Sequence, residues 1–319
     1  MPASSTCVIY NPAAGRGRAE RLLNALPPAL ASGVELRPTA RAGHATELAR
    51  RACDEGFTKV VAAGGDGTAH EVANGVLQSA RRDVVFGVWP LGSANDFAYT
   101  LGMDRWWRNH EQNPPTEALQ IDVGRVTAGD RARYFVCNLG VGFNGMVNGE
   151  ARNTRWLKGL PLYAWAFVKA MVKHFDKPTM TIRFDDTEVT TPTLALSVLN
   201  GQREGNFPLR PDASLTDGLF DYMHATRLTR GHLVRYLPAM VRGRLPENHR
   251  LLTLGRARRV EVKSAAPLCV HADGEFVCVP EDGLREIVVE VLPARLTVEV
   301  YPPALYGGRE RHTSARRKS

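Results

Sequence analysis

Residues 64–68, Gly-Gly-Asp-Gly-Thr, place three glycines and a carboxylate between an apolar run and a helical pattern. Residues 60–63 read as a short buried strand, and apolar residues recur at helical spacing beyond Thr68, which has capping-box spacing with Glu71. We therefore expect a helix to begin at about Thr68. Glycines permit close backbone approach to a ligand, and the N–H groups of a helix start favour an anion. The segment is a candidate phosphate loop, and a tight Gly-Asp-Gly turn is the alternative.

Asp66 is the unusual member of this loop, because a carboxylate beside a bound phosphate repels it. The repulsion is relieved when a metal ion or a proton in transfer lies between the two groups. Asp66 therefore indicates Mg²⁺ or phosphoryl chemistry rather than simple anion capture.

Two other loops also follow predicted strands. Asn11 begins residues 11–17, where small residues allow backbone approach and Arg16 and Arg18 can reach phosphates. Residues 90–98 offer a hydroxyl from Ser93, an amide from Asn95 and a carboxylate from Asp96. Such a polar cluster at a strand end is more often a site than a turn.

A further loop contains Thr39 and residues 43–46, between the second strand and its helix. His44 or Thr46 is the expected helix cap, and ordinary capping is the preferred interpretation of this loop.

The elements that hold these loops alternate in the first third of the chain. Apolar runs predict strands at 7–10, 34–37, 60–63 and 84–88, and helical patterns predict helices at 19–30, 45–53 and 95–101. This alternation predicts a doubly wound α/β domain with a parallel sheet and helices on both faces. Each candidate loop then lies at the carboxyl end of a strand, where open α/β sheets bind ligands.

The pattern changes after a polar linker at 106–116. Strand patterns then predominate, so we expect a second, antiparallel β-rich domain of the β-sandwich type. The predicted domains are 1–118 and 119–301, and whether 302–319 returns to the first domain stays open. Strands are predicted at 134–139, 179–184, 194–199, 219–224, 259–263, 287–292 and 295–301, with helices at 162–175 and 229–241.

Composition limits the class of protein. The chain has 319 residues, a net charge of +8 and a pI near 9.4, which favour a polyanionic partner: a nucleotide, a nucleic acid or an anionic lipid surface. Part of this charge is a basic tail, Arg309 to Lys318, that could attract an acidic membrane or simply be solvated. The five scattered cysteines lack metal-site or disulfide spacing and are expected to be reduced core residues.

Membrane insertion and secretion are not expected. The N-terminus lacks the pattern of a signal peptide, and residues 156–175 are interrupted by lysines and a proline, so they do not reach the roughly 18 uncharged apolar residues of a span. We therefore expect a cytoplasmic protein.

Several motifs occur in a fixed order and resemble the catalytic domain of the diacylglycerol kinase and sphingosine kinase family, most closely its soluble bacterial lipid kinases. The resemblance covers residues 7–301. Its motifs are Asn11-Pro12 with Gly15, Gly64-Gly65-Asp66-Gly67-Thr68, Gly92-Ser93-Ala94-Asn95-Asp96-Phe97-Ala98, Ile121-Asp122-Val123-Gly124, Gly140-Val141-Gly142-Phe143, Asp217-Gly218-Leu219-Phe220-Asp221 and His271-Ala272-Asp273-Gly274-Glu275.

The resemblance implies an ATP- and Mg²⁺-dependent kinase that phosphorylates a lipid alcohol such as diacylglycerol, with ATP in a cleft between the two domains. Asp66 and Asp96 are the candidates for handling Mg²⁺, through water or directly. The implied nucleotide-site residues are Asn11, Arg16, Thr39, Gly64, Gly65, Asp66, Gly67, Thr68, Ser93, Asn95 and Asp96.

Asp273 and Glu275 are the implied catalytic pair. Transfer to an alcohol needs a base within reach of the hydroxyl, and the family places it at this Asp-Gly-Glu. Both side chains would point to one side if the segment were extended, and Asp273 is slightly favoured. A hairpin turn is the alternative, because Asp-Gly is a strong turn signal.

A metal site is implied at Asp217. In similar bacterial lipid kinases this aspartate and neighbouring carbonyls, here those of Ser214 and Leu219, hold a structural Mg²⁺. A metal-free Asp-Gly turn is the alternative.

Two other patterns are set aside. Residues 140–145 fit a dinucleotide fingerprint, but no acidic residue about twenty positions on ends a second strand, so a Rossmann site is not expected. His70, where the family often has asparagine, is expected to be solvated or capping rather than a metal ligand.

Residues 156–171 are aromatic and apolar and are edged by Lys158, Lys169 and Lys173. They are expected either to be core or to contact lipid. The partners expected overall are ATP, a lipid alcohol and an anionic membrane surface, without nucleic acid, and a homodimer stays open. An NAD kinase and an inactive lipid-binding protein are the alternative functions.

Overall fold

The computed structural model describes residues 5–154, 156–157, 159–245 and 248–301. The chain divides into two compact units, residues 1–120 with 296–319 and residues 121–295. The basic tail, Lys158 and the Arg16 side chain belong to the parts that the structure does not describe.

Unit 1 alternates strands and helices. Its four complete strands pair in parallel in the order β2-β1-β3-β4, and the end of a late strand, at Thr297 and Val298, extends the sheet in parallel beside β4. Its elements are β1 (Thr6–Tyr10), α1 (Ala14–Gly17), α2 (Ala19–Asn24), α3 (Pro28–Ala31), β2 (Val34–Pro38), α4 (His44–Asp54), β3 (Lys59–Gly64), α5 (Asp66–Gln78), β4 (Val85–Pro90), α6 (Asp96–Thr100), α7 (Met103–Arg108) and a 3-10 turn at His110–Gln112.

Two predictions for unit 1 are wrong in detail. The helix expected at 19–30 is broken after Asn24, because Pro27 and Pro28 start a new turn of helix. The linker expected at 106–116 is partly helical, and Trp106 is buried with its indole N–H donating to Pro114 O at 2.9 Å.

Unit 2 is built mainly from antiparallel strands. Its elements are β5 (Glu117–Ala128), β6 (Arg131–Phe135), β7 (Asn138–Gly142), α8 (Phe143–Arg152), α9 (Gly159–Lys173), β8 (Thr179–Phe184), β9 (Thr187–Pro192), β10 (Ala195–Leu199), β11 (Phe220–Ala225), α10 (Arg230–Val241), β12 (Asn248–His249), β13 (Leu252–Ala257), β14 (Arg259–Ser264), β15 (Val270–Ala272), β16 (Glu275–Cys278), a 3-10 turn at Pro280–Asp282 and β17 (Glu286–Val300). The first residues of β5 and the last residues of β17 belong to unit 1.

Two sheets form unit 2. One runs β12-β13-β11-β10-β7-β15-β16, and the other contains β17, β14, β8 and β9 with the β5–β6 hairpin. Alternate residues of β10 explain the packing: Leu196 and Val198 enter the core shared by the two sheets, whereas Ala195 and Leu199 pack toward the helices. The predicted fold class, an α/β domain followed by an antiparallel β-rich domain, is confirmed.

Helix α9 resolves the expectation about the aromatic segment. Ala166, Phe167 and Ala170 are buried, whereas Trp165, Val168 and Val172 on another face are exposed. The segment is therefore core on one side and an apolar surface on the other. Among the described helices, none is long and apolar enough to cross a membrane.

The five cysteines are buried and free of disulfides, as expected. Burial raises the pKa of the Cys7 thiol to about 12, so it stays protonated at neutral pH.

Candidate active site

The candidate phosphate loop lies at the point where the parallel sheet reverses its order. The chain passes from β1 to β2 on one side and then returns to β3 on the other. The loops after β1 and β3 therefore leave the sheet side by side, and the Asn11 N–H donates to Ala63 O at 3.3 Å. Ligands of open α/β sheets bind at such reversal points.

Helix α5 begins at Asp66 with Gly65 as its N-cap, two residues before the predicted start. The predicted capping box is wrong because Glu71 caps a different helix: its carboxylate accepts the Gly43 and Ala45 N–H groups, at 2.9 and 3.1 Å, at the start of α4. Gly65, as the N-cap residue, has no side chain that could cap α5. The first N–H groups of α5 thus point toward the loop without a side-chain acceptor at the N-cap, as an anion site requires.

Neither residue predicted to cap α4 does so. His44 Nδ1 accepts the Ala40 N–H at 3.0 Å, and the Thr46 hydroxyl donates to the Glu71 carbonyl at 2.9 Å. The cap comes from Glu71, which is distant in sequence.

Gly92 packs directly on Gly65. A Cβ built on Gly92 would clash with the Gly65 Cα and lie 3.0 Å from the Gly65 nitrogen. Backbone hydrogen bonds join the same loops: Leu91 N–H donates to Gly64 O at 2.8 Å, and Gly15 N–H donates to Leu91 O at 2.9 Å. The loops after β1, β3 and β4 are thus held together through backbone, and glycine at position 92 is needed for that approach.

Asp66 links two of these loops. Its carboxylate accepts the Asn95 N–H at 2.7 Å and the Phe97 N–H at 3.4 Å, at the start of α6. Asn95 has a φ of +57°, and its side chain accepts the Gly92 N–H at 3.0 Å and donates to the Gly92 carbonyl at 3.1 Å. Asp66 therefore has a structural role, and its part in handling Mg²⁺ stays a prediction.

The other predicted nucleotide residues lie in the same loops. Asn11 accepts the Ala13 N–H at 2.9 Å, and the Thr39 N–H donates to Tyr10 O at 2.8 Å, just beyond β2. Ser93 is exposed, whereas Asp96 is buried in the first turn of α6. His70 is also buried, so it is not solvated, and the capping role that is the other expectation stays a prediction.

The predicted catalytic pair lies on a hairpin of unit 2. Ala272 of β15 pairs with Glu275 of β16, so Asp273 and Gly274 form the turn, with φ values of +49° and +85°. Positive φ at both positions is the signature of a type I′ turn. The segment is thus the hairpin turn that Asp-Gly indicates, and the premise that it is extended is wrong.

The two carboxylates have different surroundings. Asp273 is buried and accepts three backbone N–H groups, from Val136 at 2.9 Å, Cys137 at 2.8 Å and Asn138 at 3.0 Å. Glu275 is more exposed and pairs with Arg152 at 3.0 Å. Most acceptor positions of the Asp273 carboxylate are therefore occupied by backbone N–H groups.

The Asp217 loop offers oxygen donors. Asp217 Oδ1 accepts the Leu219 N–H at 3.1 Å, Oδ2 lies 3.7 Å from Arg256, and Gly218 turns the chain with a φ of +71°. Asp122, which is buried, accepts the Gly218 N–H at 2.7 Å and so fixes this turn. Within the described residues, no three His, Cys, Asp or Glu side chains are grouped to hold a metal ion. A site here would use one carboxylate and carbonyl oxygens.

Two family models match the chain in succession. The diacylglycerol kinase catalytic domain matches residues 5–131, and the YegS C-terminal NAD kinase beta sandwich-like domain matches residues 137–300. The chain belongs to the diacylglycerol kinase family of lipid kinases. The resemblance carried by the glycine loops and the Asp-Gly-Glu motif is thereby confirmed, and this family member is a kinase.

Relatives of the kinase support the same assignment. A diacylglycerol kinase of Bacillus subtilis is 29% identical over 84% of this chain and 89% of its own length. A protein of Chromohalobacter salexigens described as a YegS-like lipid kinase is 31% identical over 76% of this chain and 77% of its own. A solved structure of a proposed diacylglycerol kinase from Bacillus anthracis shares the fold, with a TM-score of 0.75 at 19% identity over 94% of this chain and 98% of that chain.

Sequence reasoning missed several residues around the hairpin of this kinase. Asn148 on α8 donates to the Gly274 carbonyl at 2.7 Å, and Arg152 holds Glu275. Asn144, Asn148 and Arg152 are spaced by four, which would have predicted a polar stripe if α8 had been recognised as a helix.

Proposed function

We propose that the chain transfers the γ-phosphoryl group of ATP to a hydroxyl of diacylglycerol or a related lipid alcohol, with Mg²⁺. The observation that carries the proposal is the loop cluster of unit 1, where Gly65 and Gly92 meet through backbone beside the N-terminus of α5. Backbone N–H groups of this kind bind phosphates.

In this proposal, unit 1 binds and orients the nucleotide. The residues assigned to it are Gly64, Gly65, Gly67 and Thr68 at the α5 start, with Asn11, Arg16, Thr39, Ser93, Asn95 and Asp96 in the neighbouring loops. Asp66 orders the 92–98 loop and would also help to hold Mg²⁺. When bound, Mg²⁺ neutralises charge that develops on the phosphates.

Unit 2 supplies the base. Glu275, held by Arg152, accepts the proton of the substrate hydroxyl, and Asp273 fixes the turn beside it through its three backbone contacts. This assignment reverses the slight sequence-based preference for Asp273.

A second Mg²⁺ site is proposed at Asp217, with the Ser214 and Leu219 carbonyls. The donors fit, because Mg²⁺ prefers carboxylate and carbonyl oxygens. The role is structural: it would stabilise the turn that Asp122 and Gly218 already form. A rise in melting temperature with Mg²⁺ that is absent in Asp217→Asn supports it, and equal rises in both proteins contradict it.

The test of the reaction is transfer of label from [γ-³²P]ATP to a lipid panel and, separately, to NAD. We expect label in a lipid alcohol only. Label in NAD alone would establish the alternative NAD kinase, and no label in either, despite lipid binding, would establish the inactive lipid-binding protein.

Substitution of each carboxylate tests the base. Glu275→Gln should lower kcat by about 100-fold or more with little change in unfolding free energy, because general-base catalysis contributes about 10²–10⁴-fold. Asp273→Asn should also destabilise unit 2, since a buried acceptor of three N–H groups is weakened. Full turnover by Glu275→Gln would return the base to Asp273.

We also propose that helices α9 and α10 contact an anionic membrane. Trp165 and Val172 on α9, and Val234 and Val241 on α10, are exposed apolar residues. Exposed Arg235 and Arg242 add positive charge on α10. Lys169 and Lys173 contribute less than the sequence implies, because both pair with Glu150, at 2.6 and 3.3 Å.

Vesicle flotation tests this surface. Binding should require anionic lipid, weaken with salt, and fall in Val172→Glu but not in the matched Leu22→Glu of unit 1, which is also a partly exposed apolar site. Salt-independent binding to neutral vesicles would contradict it.

A further inference from the structure

Three adjacent strands of unit 2 place His271, Gly140 and Ser197 in one row. His271 of β15 pairs with Gly140 of β7, and Gly140 pairs with Ser197 of β10. Directly paired residues point to the same face of a sheet, so the glycine leaves a gap between two polar side chains. His271 and Ser197 are both buried.

The carboxylate of Glu204 fills this gap. It accepts from Ser197 Oγ at 2.6 Å and Asn144 Nδ2 at 3.2 Å, and His271 Nε2 lies 3.1 Å away. A Cβ on Gly140 would clash with His271 Nε2 and lie 2.7 Å from Glu204 Oε1. Reciprocal backbone bonds between Glu204 and Phe207, both at 3.0 Å, hold the glutamate in place. Only glycine at position 140 allows this arrangement.

The hydrogen bonds of His271 define its protonation. The Gly274 N–H donates to His271 Nδ1 at 3.3 Å, so Nδ1 accepts and carries no proton. Nε2 therefore carries the proton and donates to Glu204. A chain of contacts thus runs from the Glu204 carboxylate through the His271 imidazole to the backbone of the turn that precedes Glu275.

The arrangement differs from a nucleophilic triad. Ser197 Oγ donates to the carboxylate rather than to the imidazole, and the serine is completely buried. On its other side, His271 accepts the Gly274 N–H. The carbonyl of the same residue, Gly274, accepts a hydrogen bond from Asn148 at 2.7 Å. Both sides of the Gly274 residue are therefore fixed from the buried face.

We propose that Glu204, acting through His271, is a positioning residue for phosphoryl transfer: it holds the Asp273–Gly274 turn so that the following Glu275 carboxylate is aimed at the substrate hydroxyl. This inference rests on the proposed kinase function. Misplacement of a catalytic group by about 1 Å can cost up to about 100-fold in rate.

The two amide replacements of His271 separate positioning from packing. Asn can present its carbonyl oxygen where Nδ1 lies and so still accept the Gly274 N–H, whereas Gln can present its N–H₂ where Nε2 lies and keeps only the Glu204 contact. Gln is closer to His in size, so packing alone predicts that Gln is tolerated better. Positioning predicts that both variants lose activity, because each breaks one link of the chain, and that Asn retains more because it keeps the contact with the turn.

The experiment measures kcat and KM for ATP and a short-chain diacylglycerol with the full chain. Glu204→Gln and His271→Gln should lower kcat by about 10- to 100-fold, with the KM for ATP changed less than about twofold, and His271→Asn should retain more activity than His271→Gln. The matched control is His224→Gln, because His224 is also buried in this sheet but bonds to Thr193, at 2.9 Å. It should keep kcat unchanged.

A kcat order of Gln above Asn, or a Glu204→Gln variant with normal kcat, would overturn the positioning role. Hydrogen exchange of the Gly274 amide gives a readout that does not depend on activity: it should be accelerated in His271→Gln and unchanged in His224→Gln. Unaltered protection of the Gly274 amide in His271→Gln would overturn the network, whatever the result of the label-transfer assay. Absence of label transfer to lipid would refute the kinase proposal and would leave this test of the network unaffected.

Discussion

Two glycine-rich segments of this chain follow a strand and open a helix, yet they serve different purposes. In residues 64–68, at the junction of β3 and α5, Gly65 is approached by the backbone of Gly92, whose own missing Cβ allows this contact. In residues 140–145, at the junction of β7 and α8, the missing Cβ of Gly140 admits the buried side chains of His271 and Glu204, and that of Gly145 admits Cys269. Glycine spacing alone therefore does not identify a phosphate loop. The two segments differ in the groups that fill the space left by the missing side chain, which are backbone atoms in the first and buried side chains in the second.

The largest effect should come from Gly92→Ala. The added methyl group would force apart the loops after β3 and β4, because it would clash with the Gly65 Cα. We expect ATP affinity to fall at least about 100-fold, since close backbone approach to phosphates is lost. Isothermal titration with a non-hydrolysable ATP analogue measures it. Gly231→Ala, where the new methyl would have ordinary contacts, is the control.

If Gly92→Ala retained its ATP affinity, the glycines of residues 64–68, like those of residues 140–145, would serve only to allow close packing. The contrast between the two segments would then disappear.

The next effect should come from Gly140→Ala. Overpacking at a buried site costs about 1–3 kcal/mol, and here it would also displace His271 from Glu204. We expect a lower unfolding free energy in urea and a kcat reduced about 10-fold or more, with ATP affinity unchanged. A loss of ATP affinity in Gly140→Ala as large as the one expected for Gly92→Ala would instead assign residues 140–145 to the nucleotide site.

The contrast also shows what could be predicted from sequence. The strand at 60–63, the parallel sheet of the first domain and the Asp-Gly turn depend on local patterns, and the structure has them. The strand expected at 134–139 is instead divided, because the chain bends at 136–137 between β6 and β7. The Thr68–Glu71 capping box failed because Glu71 contacts α4, and the single helix at 19–30 failed because Pro27 and Pro28 interrupt it. The two prolines are a local signal, whereas the contact of Glu71 with α4 is not encoded in local spacing.

The buried network shows the same limit for the site. His271 belongs to the recognised Asp-Gly-Glu motif, but Glu204 and Ser197 come from segments with no motif of their own. They are brought together by sheet register, in which Gly140 lies opposite both His271 and Ser197. No one-dimensional pattern specifies that register.

A smaller effect is expected at Thr68, in the first turn of α5. In Thr68→Val the hydroxyl that we assign to a phosphate is lost at nearly constant volume. One such hydrogen bond is worth about 0.5–1.5 kcal/mol, so the KM for ATP should rise about 3- to 10-fold. Thr68→Ser should restore most of the affinity. Equal effects of Val and Ser would indicate packing rather than phosphate contact.

The smallest effect on catalysis is expected at His224, and it sharpens the contrast between an ordinary buried histidine and His271. Burial lowers the pKa of His224 from its usual 6.5 to about 4. As the pH falls, the unfolded chain therefore binds a proton at His224 before the folded chain does. The contribution of neutral His224 to the free energy of unfolding is complete above about pH 6.5 and is lost progressively toward pH 4. The pKa difference corresponds to a loss of about 3 kcal/mol at the acid end. His224→Gln, which can still donate to Thr193 but does not titrate in this range, should flatten the decline of urea stability between pH 6.5 and 4 while leaving kcat at neutral pH unchanged. If the decline of stability is equally steep in His224→Gln, other groups cause it. If kcat falls in His224→Gln as it does in His271→Gln, then replacement of any buried histidine in the sheet lowers activity, and the effect is not specific to His271.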